Sequence, residues 1–272
     1  MLGYRALQGE GAGMDESILK PGDRDYVGAL ASGLEVLQAF DADHPRMTLS
    51  EVAARTDMDR AKARRFLLTL HALGFVKRSG RQFELTPRVL QLGYAYQASN
   101  QYRAVIQQYL EDITAELGES SSLAVLDGDE VVYVVRSAAR HRLMAITLSV
   151  GTRLPAAYTS MGRVLLAQLP EPELEACLER IRLERYTSSS LTDRNALREE
   201  ISKVREQGYA IVDQELDLGL RSVAVPVFTA SGELLGALNI STNAARVDMD
   251  TLLNTYLPRL QLVADKVRQT AR

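Results

Sequence analysis

The sequence has one cysteine, three histidines and no apolar run of bilayer length. A lone thiol, Cys177, builds no internal disulfide framework, which fits a reducing cytoplasm. A membrane-spanning helix needs ~20 consecutive apolar residues, and none is present. His44, His71 and His141 stand apart, with no metal-ligand spacing around them, so neither a metal nor a cofactor is expected. There is no GxSxG elbow, no phosphate-binding P-loop and no GxGxxG turn. Asp213 and Glu215 are close in sequence, yet spacing alone does not make an acid/base couple. Cys177 shares a helical face with Leu174, Leu178 and Ile181 and reads as a packing residue, while His71 reads as structural. The serines of "ESSS" (119–122) and "TSSS" (187–190) read as loop residues. Little here supports an enzyme.

What is present is an ordinary soluble composition, 46% hydrophobic and 25% charged over 272 residues, enough for one small and one medium domain. The first 24 residues carry no apolar signal core and several glycines, so they read as a flexible tail, with Met14 as an alternative start. The chain is mildly acidic, 32 Lys and Arg against 35 Asp and Glu. Its cations are nevertheless concentrated. Between Arg60 and Arg81 lie seven basic residues (Arg60, Lys62, Arg64, Arg65, Lys77, Arg78, Arg81) and no acidic one.

The patterns around that cluster are consistent with one another. "YVGALASGLEVLQAF" places Leu30, Leu34 and Leu37 on one helical face. "TLSEVAART" opens with a capping box, Thr48 with Glu51. Asp57 in the "TDMD" turn suits a left-handed conformation, and Asp59 caps a third helix that Gly74 ends. That helix buries Phe66, Leu67, Leu70 and Leu73, leaving Arg60, Lys62, Arg64 and Thr69 outside. "GFVKRSGRQFELT" alternates as two strands about an "RSGR" turn. Helix, helix-turn-helix and hairpin in this order predict a winged helix-turn-helix over 25–86. Its second helix would present Arg60, Ala61, Lys62 and Arg64 to base edges of double-stranded DNA. Thr48, Ser50, Lys77, Arg78 and Arg81 complete the expected DNA-facing set; Arg65 either meets phosphate or braces the domain.

Thr86-Pro87 starts a linker helix, expected over 87–100. Beyond it, 101–272 alternates helices and strands: a helix ending at Gly118, a hairpin about Asp127-Gly128, a strand in "LMAITLSV", three helices, three more strands with a Ser231-Gly232 turn, and a last helical region interrupted at Pro258. Hairpins among the strands predict an α+β fold with a mostly antiparallel sheet flanked by helices.

The segments "LSEVAARTDMDRAKARRFLLTLHALGFV", "LTPRVLQLGYAY", "ESSSLAVLDGDEVVYVVR", "VGTRLPAAYTSMGRVLLAQLP", "QGYAIVDQELDLGLRSVAVPV" and "LNIST" resemble the IclR family of transcriptional regulators. Within it they resemble the branch of PcaR, PcaU and PobR, which controls aromatic-compound catabolism through the β-ketoadipate pathway. The resemblance runs from about residue 25 to the end. It implies a winged helix-turn-helix, a linker helix and a GAF-like domain that binds a small effector, assembled as homodimers that are often paired into dimers of dimers. Two positions depart from the pattern: Asp57 stands for the usual turn glycine, and the aromatic of "LPAAYTSMG" falls at Tyr158, one residue late.

The resemblance also implies an effector lining of Ser160, Met161, Asp213, Leu220, Ser222, Asn239 and Ser241. A helix start at Ser160 suits a carboxylate. Arg136, Arg153 or Arg221 can add a bidentate clamp, and Asp213 needs protonation or an arginine partner beside an anion. The expectation is a cytoplasmic regulator binding operator DNA, tuned by protocatechuate, 4-hydroxybenzoate, β-ketoadipate or a similar carboxylate, with RNA polymerase as a partner if it activates. The competing reading is an enzyme acting on an aromatic acid with an appended DNA-binding domain.

Overall fold

The computed structural model describes residues 19–98, 102–139 and 148–271. They form two compact units, divided in the sequence between α4 (Leu90–Ala98) and α5 (Tyr102–Leu117). Residues 1–18 of the tail expected over 1–24, and most of the strand expected in "LMAITLSV", lie outside the described residues.

The first unit contains α1 (Gly28–Gln38), β1 (Arg46–Thr48), α2 (Leu49–Arg55), α3 (Arg60–Ala72), β2 (Val76–Ser79) and β3 (Gln82–Leu85). Local chemistry sets most of its boundaries. The Thr48 hydroxyl accepts from Glu51 N–H and the Glu51 carboxylate accepts from Thr48 N–H, closing the capping box. Asp57 is left-handed at φ 49°, and the Asp59 side chain accepts from Lys62 N–H at 2.8 Å. Gly74 ends α3 at φ +80°, a conformation costly for any residue with a Cβ. The wing turns at Gly80-Arg81. A third strand, β1, pairs with β3 to give the order β1-β3-β2; three residues are too few to show a period in the sequence. The core is Val36, Phe40, Met47, Val52, Leu67, Leu70, Val76 and Phe83.

Two packing expectations for this unit require correction. The buried face of α1 is Ser32 and Val36, with Leu37 half-buried; Leu30 and Leu34 are exposed. Gly33 lies against the Phe66 ring of α3, so α1 turns its small-residue side inward. Leu73 is also exposed, because it is the C-cap of α3 and lies past the stripe of Ala63, Leu67 and Leu70.

The second unit is built on one antiparallel sheet. Its strands are β4 (Ser120–Asp127), β5 (Glu130–Ser137), β6 (Arg153–Pro155), β7 (Ala210–Asp213), β8 (Leu220–Phe228) and β9 (Leu234–Asn243), in the order β6-β5-β4-β9-β8-β7. α5 and α10 (Leu257–Thr270) cover one face, and α6 (Ser160–Ala167) lies across the other, backed by α7 (Glu171–Arg180) and α8 (Arg194–Gln207). The β4–β5 turn is centred on Gly128-Asp129, one residue later than expected. At the C-terminal end, α9 (Met249–Thr251) runs into α10 without a break. A wide π turn over Leu252–Tyr256 absorbs the N–H that Pro258 lacks.

Candidate functional site

On α3, Arg60, Ala61, Lys62, Arg64 and Arg65 are all exposed, and none of the four cationic side chains has a hydrogen bond or ion pair among the described residues. Capping fixes where the helix begins, and its apolar stripe fixes which side faces outward. Ser50 is exposed at the start of α2, whereas the Thr48 hydroxyl is occupied by the cap. The wing cations differ from one another. Lys77 pairs with Glu84 directly across the strand at 3.0 Å, and Arg46 shares the same carboxylate at 3.0 Å. Those hydrogen bonds, from Lys77 first, hold the Glu84 carboxyl below its ordinary range. Arg78 folds back onto the Gly80 carbonyl and over the Phe83 ring. Arg81 is exposed, and its side chain has no partner among the described residues. His71 Nδ1–H donates to the Val76 carbonyl, 2.9 Å away, which is a structural role.

In the second unit the sheet register sorts the expected lining. Residues in line across the strands share a face. Arg136, Ser122, Asn239, Ala224 and Ala210 form one such row; Ser120, Ser241, Ser222 and Val212 form the next row on the same face. Leu220 follows Ser222 by alternation, two residues before it on the strand. Ala124, Ala224, Ala237 and Ala210 pack under α6, so this is the α6 side. Ser160 and Met161 open α6, both buried, after Thr159 caps the helix by accepting from Gly162 N–H at 3.1 Å.

The face is polar where it extends past the alanines, and it is incompletely bonded. Arg136 Nη1 donates to Ser122 Oγ at 3.0 Å, and Asn239 Nδ2 donates to Ser241 Oγ at 2.9 Å. Arg136 Nε, Asn239 Oδ1 and Ser160 Oγ are buried with no hydrogen-bond partner among the described residues. Burial pushes the Arg136 guanidinium below the ordinary arginine value, and it pushes the neighbouring Tyr133 phenol up to about 12. A bulge at Val134 in β5 brings Tyr133 onto the face of Arg136, with the guanidinium 5.9 Å from the ring centre.

Three expected lining residues are elsewhere. Asp213 and Arg221 pair across β7–β8 in the row that faces α10, since strand alternation turns every second residue to the opposite face. There they form a two-pronged ion pair at 2.9 and 2.8 Å, and Arg221 also donates to the Val247 carbonyl. Asp213 thus has the arginine partner it needs, away from the polar face. Arg153, on the edge strand β6, is an exposed clamp for Asp127 and Glu130 at the β4–β5 turn.

Several readings of single residues also change. Ser120, Ser121 and Ser122 are not loop residues; they are buried in β4, with Ser121 donating to the Leu110 carbonyl and the other two facing α6. Thr187 and Ser190 do lie in a loop, but both hydroxyls are buried, donating to the carbonyls of Gln214 and Glu215. Tyr158 is buried, its hydroxyl donating to the Leu191 carbonyl and accepting from Glu184 N–H, so its ring braces a loop. Asp213 and Glu215 serve different arginines and form no couple. Cys177 packs in the core, and burial pushes its thiol up. Ser120, Ser122 and Tyr133 belong to the polar face and were not expected there. Their signal was the alternation of Ser120, Ser122 and Ala124 into an apolar strand.

Comparison with known proteins decides the family. Residues 29–80 match the IclR helix-turn-helix domain, and residues 94–269 match the bacterial transcriptional regulator IclR C-terminal domain. The chain belongs to the IclR family. It is therefore a DNA-binding regulator of transcription and not an enzyme. It is 45% identical to the Pca regulon regulatory protein of Pseudomonas putida, over 88% of this chain and 82% of that one. A solved chain from Rhodococcus sp. RHA1, assigned as a transcriptional regulator, is 48% identical with a TM-score of 0.77, covering 90% of this chain and 98% of that one. The inducer-binding domain of the PobR transcription factor from Acinetobacter, solved as a double mutant with 3-hydroxybenzoic acid, is 33% identical with a TM-score of 0.57. It covers 61% of this chain and 97% of that domain. These likenesses support the Pca and Pob branch. No helix among the described residues is long and apolar enough to cross a membrane.

Proposed function

We propose that this chain regulates genes of aromatic-compound catabolism, and that a small carboxylate seated on the α6 side of the sheet alters its hold on operator DNA. The observation that carries the effector reading is the set of buried polar atoms on that side that have no partner among the described residues: Arg136 Nε, Asn239 Oδ1 and Ser160 Oγ. A folded protein rarely leaves buried polar atoms unbonded, and three around one face form a site awaiting a polar ligand. The relatives supply the ligand class, since one is named for the Pca regulon and another is solved with a hydroxybenzoic acid. Protocatechuate, 4-hydroxybenzoate and β-ketoadipate are the first acids to try. A ligand that binds only the folded state raises the melting temperature, so a thermal-shift screen of these three tests the reading.

In this proposal Arg60, Lys62 and Arg64, with Ala61 between them, meet base edges, and Arg65, Arg81 and Ser50 meet phosphates. The winged unit spans 25–86, the linker 87–100 and the effector domain 101–272. The protein acts in the cytoplasm as a homodimer on an inverted repeat, with a dimer of dimers as the larger form. Val27, Leu30 and Leu34, an exposed apolar stripe on or beside α1, support a pairing surface. RNA polymerase is a partner if the regulator activates.

A further inference from the structure

We propose that Arg136 is the residue that holds the effector's carboxylate, gripping it side-on through the edge formed by Nε and Nη2. This rests on the effector reading above and narrows it to one side chain. The other arginines of the second unit that were candidates, or that are buried nearby, already hold carboxylates. Arg153 holds Asp127 and Glu130, Arg221 holds Asp213, and Arg163 holds Glu215. Arg136 has no ion-pair partner among the described residues, although its Nε is buried. A charged donor kept from water without an acceptor is costly, and the fold keeps one here.

The position of the guanidinium determines which edge is free. Ser122 takes Nη1, and the Tyr133 ring lies beside the group. That leaves the Nε–Nη2 edge, where two parallel N–H bonds match the two oxygens of one carboxylate. Tyr133 does not compete for this cation, because its phenol, displaced to about 12 by burial, stays neutral at ordinary pH. The remaining polar groups of the face are uncharged: Asn239, Ser241, Ser222, Ser120 and Ser160. They suit the hydroxyl or carbonyl groups at the other end of the acid. A lysine at position 136 would keep the charge and lose the paired geometry.

The test uses the full-length protein, Arg136→Met, Arg136→Lys and Ser160→Leu. Melting without ligand comes first. A guanidinium retained for a ligand predicts that Arg136→Met melts at or above the wild-type temperature; a fall of several degrees would make Arg136 a structural brace and overturn the proposal. Calorimetry then compares whichever of protocatechuate, 4-hydroxybenzoate and β-ketoadipate binds the wild type with its uncharged amide. The wild type should prefer the acid at least tenfold, Arg136→Met should show a preference reduced to within about threefold, and Arg136→Lys should fall between. An undiminished preference in Arg136→Met, with binding lost in Ser160→Leu, would overturn Arg136 as the anchor while leaving the site in place. If none of the three acids binds the wild type, the effector reading itself fails, and this assignment with it.

Discussion

Arg163 of α6 and Glu215 after β7 form a buried ion pair, Nη2 to Oε2 at 2.6 Å, between residues 52 positions apart. Arg163 Nε also donates to the Ala157 carbonyl, and Leu191 N–H donates to the Glu215 carboxylate. One pair thus ties the start of α6 to the loops on either side of it. Removing one partner of such a pair strands the other charge and costs about 3–5 kcal/mol. Glu215→Ala should show a loss of that order in urea unfolding, and Arg163→Met combined with Glu215→Leu should recover most of it. A loss below about 1 kcal/mol in the single variant would contradict this account of the pair.

Gly162 follows from the same packing. A Cβ built there would sit 2.1 Å from the Ala156 carbonyl oxygen, a backbone atom that cannot swing aside. Overpacking a core ordinarily costs about 1–3 kcal/mol, and Gly162→Ala should reach the top of that range. Thermal unfolding within a few tenths of a degree of wild type would show that α6 lies less tightly than described.

The wing predicts unequal contributions from its cations. Arg81→Ala and Arg65→Ala should each lower the salt dependence of operator binding by about one ion, whereas Lys77→Ala should change it less because the Lys77 ammonium is held on the Glu84 carboxylate. Glu84→Gln should release Lys77 and Arg46 together and strengthen non-specific DNA binding. Arg60→Ala or Lys62→Ala should cost about 1–3 kcal/mol at the operator and alter base preference. Fluorescence anisotropy across a salt series checks all six; equal slopes for Lys77→Ala and Arg81→Ala would contradict the distinction.

The capping box gives a pH dependence with a definite sign. The Thr48 backbone N–H, and then its hydroxyl, hold the Glu51 carboxyl below its ordinary 4.5. A depressed carboxyl stabilises the fold fully above the unfolded value and loses that contribution as pH falls through the folded one. Glu51→Ala should therefore melt below wild type at pH 7, with the difference shrinking as pH drops below 4.5. A difference independent of pH would mean that the carboxylate charge contributes nothing.

Much of this was legible in the sequence where local chemistry decides structure. Thr48 with Glu51, Asp57, Asp59 and Gly74 each act within a few residues, and each does what its type predicts. Features set by distant partners were not legible. Apolar period alone cannot say whether Leu30 and Leu34 or Ser32 and Val36 will meet α3. A run of serines resembles a loop until neighbouring strands bury it, as β5 and β9 do for Ser120–Ser122. Asp213 and Ser222 both lie near the end of the β7–β8 hairpin, and only the register shows that they face opposite ways. The selection of Arg136 among three arginines depends on acidic residues at Asp127, Glu130 and Asp213 finding the other two.

The most direct test of the central claim is operator affinity, measured with and without the acid that best raises the melting temperature, in wild type and in Ser160→Leu. The two proteins should bind operator equally well without acid, the acid should change wild-type affinity severalfold, and it should leave Ser160→Leu unmoved. An acid that shifts both proteins alike, or shifts neither, would contradict the claim that the α6 side of the sheet is where this regulator reads its effector.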